Sequence, residues 1–337
     1  MLVQRCIFTK NRSEMNIVDT YKEDFICYLN EKVTVKEPEN LYAPIHYILQ
    51  IGGKRLRPIL TIMTCDLFEG NSKEAYDAAL AIELFHNFTL IHDDIMDSAP
   101  IRRGKDTVHE KWDVNTGILS GDAMMILASQ CFNKYEPTLF KKLIILFNKT
   151  ALEVCEGQQL DIDFETRNNV IIAEYIKMIT YKTSVLVAAA MEMGAIIANV
   201  EKNEAEKIYN FGLNLGIAFQ LQDDFLDTFG DVASFGKQIG GDILENKKTF
   251  LYLKALEVCN KKDKEKLVGF YNVKNNYETK IQEVTSLFNK NNIAEITISE
   301  IESYTKKAFV ILETLTISES KKELLRDFGL SLMKRSI

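Results

Sequence analysis

The chain has 337 residues, of which 46% are hydrophobic, so it is long enough to bury a large core. Its net charge of −7 and pI near 5.4 argue against a nucleic-acid-binding protein, because such proteins carry a basic stripe. Six cysteines show no paired spacing, which indicates core thiols in a reducing cytoplasm rather than a disulfide framework or a zinc site.

The N-terminal residues 1–14 are expected to form a disordered extension. They carry three basic residues but lack the apolar segment and the cleavage site of a signal peptide, and Met15 is an alternative start. No later run reaches the length of a membrane span, since the longest, at 185–200, is interrupted by Glu192. We therefore expect one domain over residues 15–337 that does not span a membrane.

The apolar residues recur with a period near 3.6, and the chain has only five prolines, so the predicted fold class is all-α. Only the short run at 33–35 has strand character. No Gly/Ser-rich linker divides the chain, which favours a single domain of many antiparallel helices. The predicted helices lie at residues 17–31, 41–50, 55–69, 73–98, 115–133, 138–163, 170–198, 203–230, 248–259, 263–270, 275–289, 297–312 and 319–333.

A basic constellation follows the second predicted helix. Gly52 and Gly53 end that helix and allow the backbone to approach a ligand closely. Lys54 and Arg57 project together at the start of the next helix, whose N-terminal amides also favour an anion. An anion site and a simple basic helix cap are both compatible with this pattern.

The first acidic motif, Asp-Asp-x-x-Asp, ends the fourth predicted helix. Asp93 and Asp97 lie within roughly 40° of each other on a helix, with His86 and Thr89 on the same side. With Asp94, they place three carboxylates at the helix end that disfavours negative charge, so a cation is expected there. Hard oxygen ligands suit Mg2+ or Mn2+.

The same spacing returns in a second long apolar helix, at Asp223, Asp224 and Asp227. One such motif alone usually indicates a solvated acidic surface. Two copies embedded among Phe, Leu and Ile need partners, because carboxylates in apolar surroundings are costly. Two facing clusters could hold several divalent ions and clamp one polyanion.

Each acidic motif is followed by a basic loop, with Arg102 and Arg103 after the first and Lys237 and Lys247 after the second. Such loops can simply compensate charge, but arginine forks also suit phosphate. The repetition favours a metal–diphosphate site.

A Lys-Thr pair, Lys182 and Thr183, interrupts another apolar helix. Lys182 has no acidic residue near it in sequence, so its partner is expected to be a phosphate or a metal-bound oxygen. A lysine that extends to solvent from the surface is the alternative.

These motifs resemble those of trans-isoprenyl diphosphate synthases in the polyprenyl synthetase family. Gly-Gly-Lys-Arg-x-Arg-Pro, the first Asp-rich motif with Arg-Arg-Gly, Lys-Thr, Phe-Gln-x-x-Asp-Asp-x-x-Asp and Gly-Lys-x-x-Gly-x-Asp occur in family order from about Pro44 to Thr249. The resemblance implies the isoprenoid synthase type I fold, with helices around a central cavity. The first motif has no insertion, as in short-chain synthases, and so differs from many bacterial farnesyl and geranylgeranyl synthases.

The resemblance also implies the cofactor and the site residues. Three Mg2+ ions would bridge the acidic motifs to the diphosphate of an allylic substrate. Their direct ligands would be Asp93, Asp97 and Asp223, supported directly or through water by Asp94, Asp224 and Asp227. The same diphosphate would be neutralised by Arg102, Lys182, Lys237 and Lys247. Isopentenyl diphosphate would be held by Lys54, Arg57, His86 and Arg103, and several relatives carry Gln in place of His86.

The implied mechanism is electrostatic. Metal ions and basic residues stabilise the departing diphosphate, and exclusion of water protects the carbocation. The Thr183 hydroxyl and the Gln220 carbonyl would lie along that cation. Isopentenyl diphosphate then attacks, and the proton is lost to the diphosphate, so no side-chain base is required.

Product length is expected to depend on the first acidic helix. Thr89, Phe88 and Phe85 lie roughly 6, 7.5 and 12 Å below Asp93 along its axis. The small Thr89 leaves the upper channel open, and the two phenylalanines could form its floor. With a Phe-Thr pair as in similar geranylgeranyl synthases, this favours a C20 product from dimethylallyl, geranyl and farnesyl diphosphate. A C15 product remains open, as does a core role for both rings.

Other classes of protein fit the sequence less well. A class I terpene cyclase normally has an Asn/Ser/Glu-type second motif, and a non-catalytic partner subunit would have lost Asp or Lys residues that are present here. An all-helical scaffold protein would match these motifs only by chance. The resemblance further implies a homodimer.

Overall fold

The computed structural model describes residues 17–230, 239–272 and 277–333. The predicted extension at 1–14 and Lys237 lie outside these ranges. The all-α class is confirmed. The helices are α1 (Ile17–Lys32), α2 (Glu39–Gln50), α3 (Leu56–Leu67), α4 (Tyr76–Met96), α5 (Val108–Lys111), α6 (Val114–Gln130), α7 (Pro137–Thr166), α8 (Ile172–Ile179), α9 (Val185–Ile197), α10 (Lys202–Phe229), α11 (Gly241–Leu244), α12 (Phe250–Val258), α13 (Lys261–Tyr271), α14 (Tyr277–Lys290), α15 (Ile293–Glu313) and α16 (Glu319–Met333).

The strand suggested at residues 33–35 was a wrong prediction, since these residues are irregular and pair with no strand. The described sheet is instead a short hairpin of two strands with two residues each, in which β1 (Ile101–Arg102) pairs antiparallel with β2 (Lys105–Asp106). We call residues 101–106 the arginine hairpin. Its turn residues Arg103 and Gly104 have φ of 52° and 74°. Two positive φ values in succession give the tight turn whose twist matches paired strands.

The chain forms two compact units, and the first comprises the described residues up to 149 together with 189–205. In this unit α4 packs against α6 and α3. Close packing is possible because α4 presents small buried residues such as Ala78 and Ala81. Gly194 of α9 lies so near Thr61 of α3 that a side chain at position 194 would meet the Thr61 carbonyl oxygen.

The C-terminal end of α4 is fixed by backbone hydrogen bonds. Ser98 adopts a φ of 50°, and its N–H bonds to the Ile95 carbonyl at 3.2 Å. The N–H of Ala99 bonds to the Asp94 carbonyl at 2.9 Å. This paired arrangement is a Schellman motif, which ends the helix sharply. The first acidic motif therefore lies at a helix end, as predicted.

The second unit comprises residues 150–188 and the described residues from 206 onward. Its core is built around Tyr175 of α8, Leu221 of α10, Leu251 of α12 and Phe288 of α14, all of which are buried. Helix α12 packs against α8 and α15. This core supports the part of α10 that carries the second acidic motif. In the described parts of the chain, none of the helices is both long and apolar enough to cross a membrane.

Candidate active site

The acidic end of α4 contains one buried carboxylate and two more accessible ones. Asp94 is 2% exposed. Arg102 of β1 places Nε 2.9 and 2.8 Å from its two carboxylate oxygens and Nη2 2.7 Å from Oδ1. Such forked, charge-assisted contacts are strong and directional. Asp93 is partly exposed and Asp97 is exposed, so these two are the more accessible carboxylates of the motif.

The start of α3 is held by a buried ion pair. Arg55 has a φ of 53°, caps α3, and donates hydrogen bonds to Glu83 of α4 and to the Leu49 carbonyl oxygen. Both side chains of the ion pair are buried. A buried charge without a partner would be costly, so this pair fixes the α2–α3 loop on α4.

The predicted isopentenyl diphosphate residues Arg57 and His86 are in contact. Arg57 Nη1 lies 3.3 Å from His86 Nε2. Burial, followed by the charges of Arg57, Arg103, Arg102 and Arg55, holds the pKa of His86 well below 6.5. The imidazole is therefore neutral at pH 7. Because a guanidinium can only donate, Nε2 is the acceptor and Nδ1 carries the proton.

Arg103 lies over the Gly-Gly pair. Its guanidinium donates to the Gly52 carbonyl oxygen, and a Cβ added at Gly53 would lie 2.6 Å from Nη1. Burial, followed by the charges of Arg102 and Arg55, lowers the pKa of Arg103. This side of the first unit thus concentrates guanidinium groups, as the recognition of a diphosphate requires.

The arginine hairpin is anchored to α2 by aromatic residues. Tyr47 donates a hydrogen bond to the Asp106 carbonyl oxygen at 2.8 Å, and its ring packs edge-on against Trp112 with centroids 5.3 Å apart. Lys111 Nζ lies 3.8 Å from the ring centroid of Tyr47. These contacts, including a cation–π pair, fix the strand next to Arg103.

In the second unit, Asp224 is the buried member of its motif, at 7% exposure. Its Oδ2 accepts a hydrogen bond from Tyr175 at 2.5 Å, and its Oδ1 accepts one from Gln220 Nε2 at 2.9 Å. Thr183 in turn donates to Gln220 Oε1 at 3.0 Å. Burial, and then the charge of Asp242, raise the pKa of Asp224 well above its usual value. The predicted residues Thr183, Gln220 and Asp224 are thus joined in one chain.

Asp227, the last residue of this motif, contacts the loop that follows the motif. Asp227 accepts a hydrogen bond through Oδ2 from the Asp242 N–H at 2.9 Å. Lys247 Nζ lies 3.5 Å from Asp242 Oδ1 and 2.9 Å from Glu245 Oε2. Burial opposes the charge of Lys247, but Asp242 and Glu245 outweigh it and raise its pKa. Lys247 is therefore an ammonium group at neutral pH.

The Lys-Thr pair lies on a single π-helical turn, Thr180–Ser184, between α8 and α9. Such turns insert one residue into a helix and often mark functional sites. A Cβ at Gly157 of α7 would collide with the backbone N of Lys182, so only glycine permits this approach. Lys182 Nζ lies 2.5 Å from Asp161 Oδ2. Its acidic partner therefore lies on another helix.

These groups share a cavity of about 200 Å³ within the second unit. It brings together two predicted lysines, Thr183, Gln220 and the whole second acidic motif. The lining residues are Asp161, Phe164, Tyr175, Met178, Ile179, Lys182, Thr183, Gln220, Asp223, Asp224, Asp227, Asp242, Lys247, Lys248 and Thr249.

The predicted floor residues lie on α4 in the first unit. Phe85 is fully buried, with its ring centroid 5.5 Å from that of Phe147 and 5.6 Å from that of Phe88. Phe88 is partly exposed, and so is Thr89, which donates to the His86 carbonyl at 2.8 Å. Phe85 therefore belongs to an aromatic core, while Phe88 lies at its edge.

A sequence model of the polyprenyl synthetase family matches residues 38–288. The chain belongs to the polyprenyl synthetase family. This confirms the predicted family and the predicted class of enzyme, a prenyltransferase.

Individual family members resemble the chain over most of its length. A geranylgeranyl diphosphate synthase of Methanosarcina mazei is 42% identical over 231 residues, which cover 68% of this chain and 71% of the relative. A crystal structure of a geranylgeranyl pyrophosphate synthase has 51% identity and a TM-score of 0.92, over 96% of this chain and 100% of that one. A geranylgeranyl pyrophosphate synthetase from Pyrococcus horikoshii has 32% identity and a TM-score of 0.88, over 95% and 98% of the two chains.

Polyprenyl synthetases use Mg2+ to ionise a diphosphate. Among the residues that the structure describes, no group of three or more His, Cys, Asp and Glu is arranged to hold a metal ion. Mg2+ usually takes only one or two carboxylates and completes its shell with water and substrate phosphate oxygens. Asp223 and Asp227, which line the cavity, supply such oxygen donors, so the residues present fit this ion.

Several residues that the structure places at the site of this polyprenyl synthetase were not among the predicted site residues. Asp242 is part of the quoted Gly-Lys-x-x-Gly-x-Asp motif, yet its contacts with Asp227 and Lys247 could not be read from spacing. Tyr175 lies seven residues before Lys182, two helical turns away, which was the available signal. Asp161 lies on α7, outside every motif described above, so its contact with Lys182 could not be read from spacing either.

Proposed function

We propose that this polyprenyl synthetase is a geranylgeranyl diphosphate synthase. It adds isopentenyl diphosphate to dimethylallyl, geranyl and farnesyl diphosphate and stops at C20. The proposal rests on the cavity of the second unit, where Asp223 and Asp227 lie with Lys182 and Lys247. Carboxylates for a divalent ion and ammonium groups for a diphosphate form a site for a departing diphosphate. The C20 product is supported by the relatives, which are geranylgeranyl diphosphate synthases.

The second unit binds the allylic substrate. Lys182 and Lys247 are held in the cavity by Asp161 and Asp242, so their charges are already in place before the diphosphate binds. Asp223 and Asp227 would hold Mg2+, which would further stabilise the negative charge on the leaving group. Bringing fixed charges to the diphosphate favours cleavage of the allylic C–O bond, because little reorganisation remains.

Thr183 and Gln220 stabilise the carbocation that remains. The Thr183 hydroxyl donates its proton to Gln220, so its lone pairs are left for the positive charge. Neither residue is a base strong enough to take the final proton, which we assign to the departing diphosphate.

The first unit binds isopentenyl diphosphate. Arg57 and Arg103 supply donor forks, with Lys54 as a third cation, and His86 orients Arg57. Because His86 is neutral, it adds no repulsion among the arginines. Asp93 and Asp97 at the end of α4 have the same donor chemistry as the second motif, and we propose that they too bind Mg2+, for a total of three ions.

The test is an incubation of the purified chain with isopentenyl diphosphate and each allylic diphosphate, with Mg2+ or with EDTA. We expect C20 product with Mg2+ and none with EDTA. Asp223→Ala should lower the rate by at least about a hundredfold, since it removes leaving-group stabilisation. Asp122→Ala, which removes an exposed carboxylate on α6, is the matched control and should have little effect. Full activity in EDTA would contradict the metal role, and a C15 end product would contradict the C20 assignment.

We also propose a homodimer. In the first unit, Leu119 and Ile126 of α6 are each 60% exposed and lie seven residues apart on one helix face. Large apolar side chains in such a row are typical of protein interfaces. Analytical ultracentrifugation should find a dimer, and Leu119→Glu with Ile126→Glu should yield monomers. A monomeric wild type would contradict the proposal.

The proposed location is the cytoplasm. The cysteines of the described chain, Cys27, Cys65, Cys131, Cys155 and Cys259, are all free thiols, as a reducing compartment favours. Cell fractionation with an antibody against the chain would test this location, and recovery in a membrane or secreted fraction would contradict it.

A further inference from the structure

Tyr175 is a buried residue of the cavity with no role in the reaction described above. Its hydroxyl donates to Asp224 Oδ2 at 2.5 Å, from α8 to α10. Its ring is packed in the core of the second unit, and the centroids of the Tyr175 and Phe250 rings are 6.5 Å apart. The hydroxyl is therefore held in place by the hydrophobic core rather than by solvent-exposed contacts.

The hydrogen-bond chain that begins at Tyr175 has a defined direction. Both side-chain oxygens of Asp224 accept a hydrogen bond, Oδ2 from Tyr175 and Oδ1 from the Gln220 amide NH₂ at 2.9 Å. The opposite end of that amide, Oε1, then faces Thr183 and accepts its hydroxyl proton at 3.0 Å. The donor and acceptor of each hydrogen bond are thus fixed by the bond before it, from Tyr175 through Asp224 and Gln220 to Thr183.

The direction of this hydrogen-bond chain determines which part of the Thr183 hydroxyl faces the cavity. A hydroxyl has one proton and two lone pairs. With its proton committed to Gln220, Thr183 presents lone pairs to the cavity, and these stabilise a carbocation. If the Gln220 amide turned over, its NH₂ would donate to Thr183, and the hydroxyl proton would be released toward the cation.

We propose that Tyr175 is a positioning residue that, through Asp224 and Gln220, keeps the lone pairs of Thr183 directed at the carbocation. Asp224 acts in this chain and not as a metal ligand, because it is buried and both its carboxylate oxygens accept hydrogen bonds within the protein. The inference rests on the proposed prenyl transfer and adds two roles, one for Tyr175 and one for Asp224.

The first test is Tyr175→Phe, which removes the hydroxyl and keeps the ring. We expect kcat to fall about tenfold, the loss typical of one hydrogen bond to a charged group. The KM for isopentenyl diphosphate should stay within about twofold. Tyr252→Phe is the matched control, because Tyr252 is also buried in this core but stacks on Tyr271, and it should keep the wild-type kcat. A kcat within about twofold of wild type for Tyr175→Phe would overturn the proposal.

A double-variant cycle with Thr183→Val separates positioning from a structural role. If Tyr175 acts through Thr183, adding Tyr175→Phe to Thr183→Val should lower kcat no further. Independent losses that multiply would overturn the proposal, because they would mean that Tyr175 acts by another route.

The role of Asp224 is tested by two measurements, kcat and the binding of Mg2+ with inorganic diphosphate in a calorimetric titration. Asp224→Asn can offer an NH₂ to Gln220 and so reverse its amide, and we expect a lower kcat with unchanged Mg2+–diphosphate binding. Asp223→Asn should weaken that binding. Weaker binding for Asp224→Asn would overturn the proposal, and this variant also serves if Tyr175→Phe fails to fold.

If wild type and Tyr252→Phe both form no product, the proposed function itself fails. If both form product and Tyr175→Phe matches them, only this inference fails.

Discussion

Arg57 donates a hydrogen bond to His86 across 3.3 Å, and this contact requires a neutral imidazole. The surrounding arginines enforce that state, because burial and their charges hold the pKa of His86 well below 6.5. A second cation at this point would repel Arg57. In the proposed site for isopentenyl diphosphate, the contact would therefore link substrate recognition to the protonation state of one histidine.

This linkage predicts how stability depends on pH. Below about pH 6.5 the unfolded chain binds a proton at His86 while the folded chain does not, so acid favours unfolding. This contribution to stability is complete above that pH and is lost as the pH falls toward the lower pKa of the folded state. Between about pH 8 and pH 5.5, the wild type should lose roughly 1 kcal/mol more unfolding free energy than His86→Gln.

Urea unfolding at the two pH values measures this difference. His86→Gln should also keep most of its activity, since the Gln Oε1 can accept from Arg57 in place of Nε2. Equal losses of stability in the two proteins would show that His86 does not titrate in this way.

A second prediction concerns the packing of Arg103 on Gly53. In Gly53→Ala the new Cβ would lie 2.6 Å from Nη1, so the guanidinium must move. The KM for isopentenyl diphosphate should rise about tenfold, as expected for loss of one charged hydrogen bond. Gly52→Ala is the control, because its φ of 90° is also strained but nothing lies within 4 Å of its Cβ. Similar KM values for both variants would attribute the effect to backbone strain.

A third prediction separates the two substrates. Lys54 lies in the first unit beside Arg55, whereas Lys247 lines the cavity of the second unit. Lys54→Ala should mainly raise the KM for isopentenyl diphosphate, and Lys247→Ala should mainly impair use of the allylic substrate. Steady-state kinetics with each substrate varied in turn gives the comparison. Equal effects of both variants on both substrates would contradict the assignment.

A fourth prediction concerns product length. Phe88 is partly exposed at the edge of the aromatic cluster, so Phe88→Ala should lengthen products beyond C20 with a modest loss of stability. Phe85 is fully buried, and Phe85→Ala should cost about 3–5 kcal/mol of unfolding free energy. Chromatography of the products and thermal unfolding measure the two effects. If neither variant extends the product, these rings are not the floor of the channel.

The helical fold was predictable because apolar periodicity is a local property of sequence. A last helix was predicted near residues 319–333, and the structure has α16 over Glu319–Met333. One continuous helix was predicted over 170–198, but the structure has a π-turn at Lys182, where the backbone packs closely on Gly157 of another helix. The arginine hairpin was predicted as a loop, because its strands have only two residues each and are too short to give a periodic signal.

The identity of the charged residues at the site was predictable, but their pairing was not. Spacing on a helix placed Asp93 and Asp97 on one face, yet it could not show that Asp94 pairs with Arg102 or that Lys182 pairs with Asp161. Such contacts join residues from separate elements, and their partners are set by tertiary packing. Tyr175 was missed for the same reason, because a tyrosine in an apolar helix is typical of an ordinary core residue.

The aromatic anchor of the hairpin makes one part of the protein visible by optical spectroscopy. Trp112 is the only tryptophan in the chain, and it packs on Tyr47, which holds the strand next to Arg103. Indole emission from the whole enzyme therefore originates at a single place. A stopped-flow fluorescence trace would follow the surroundings of the hairpin directly, without an attached dye and without contributions from any other tryptophan.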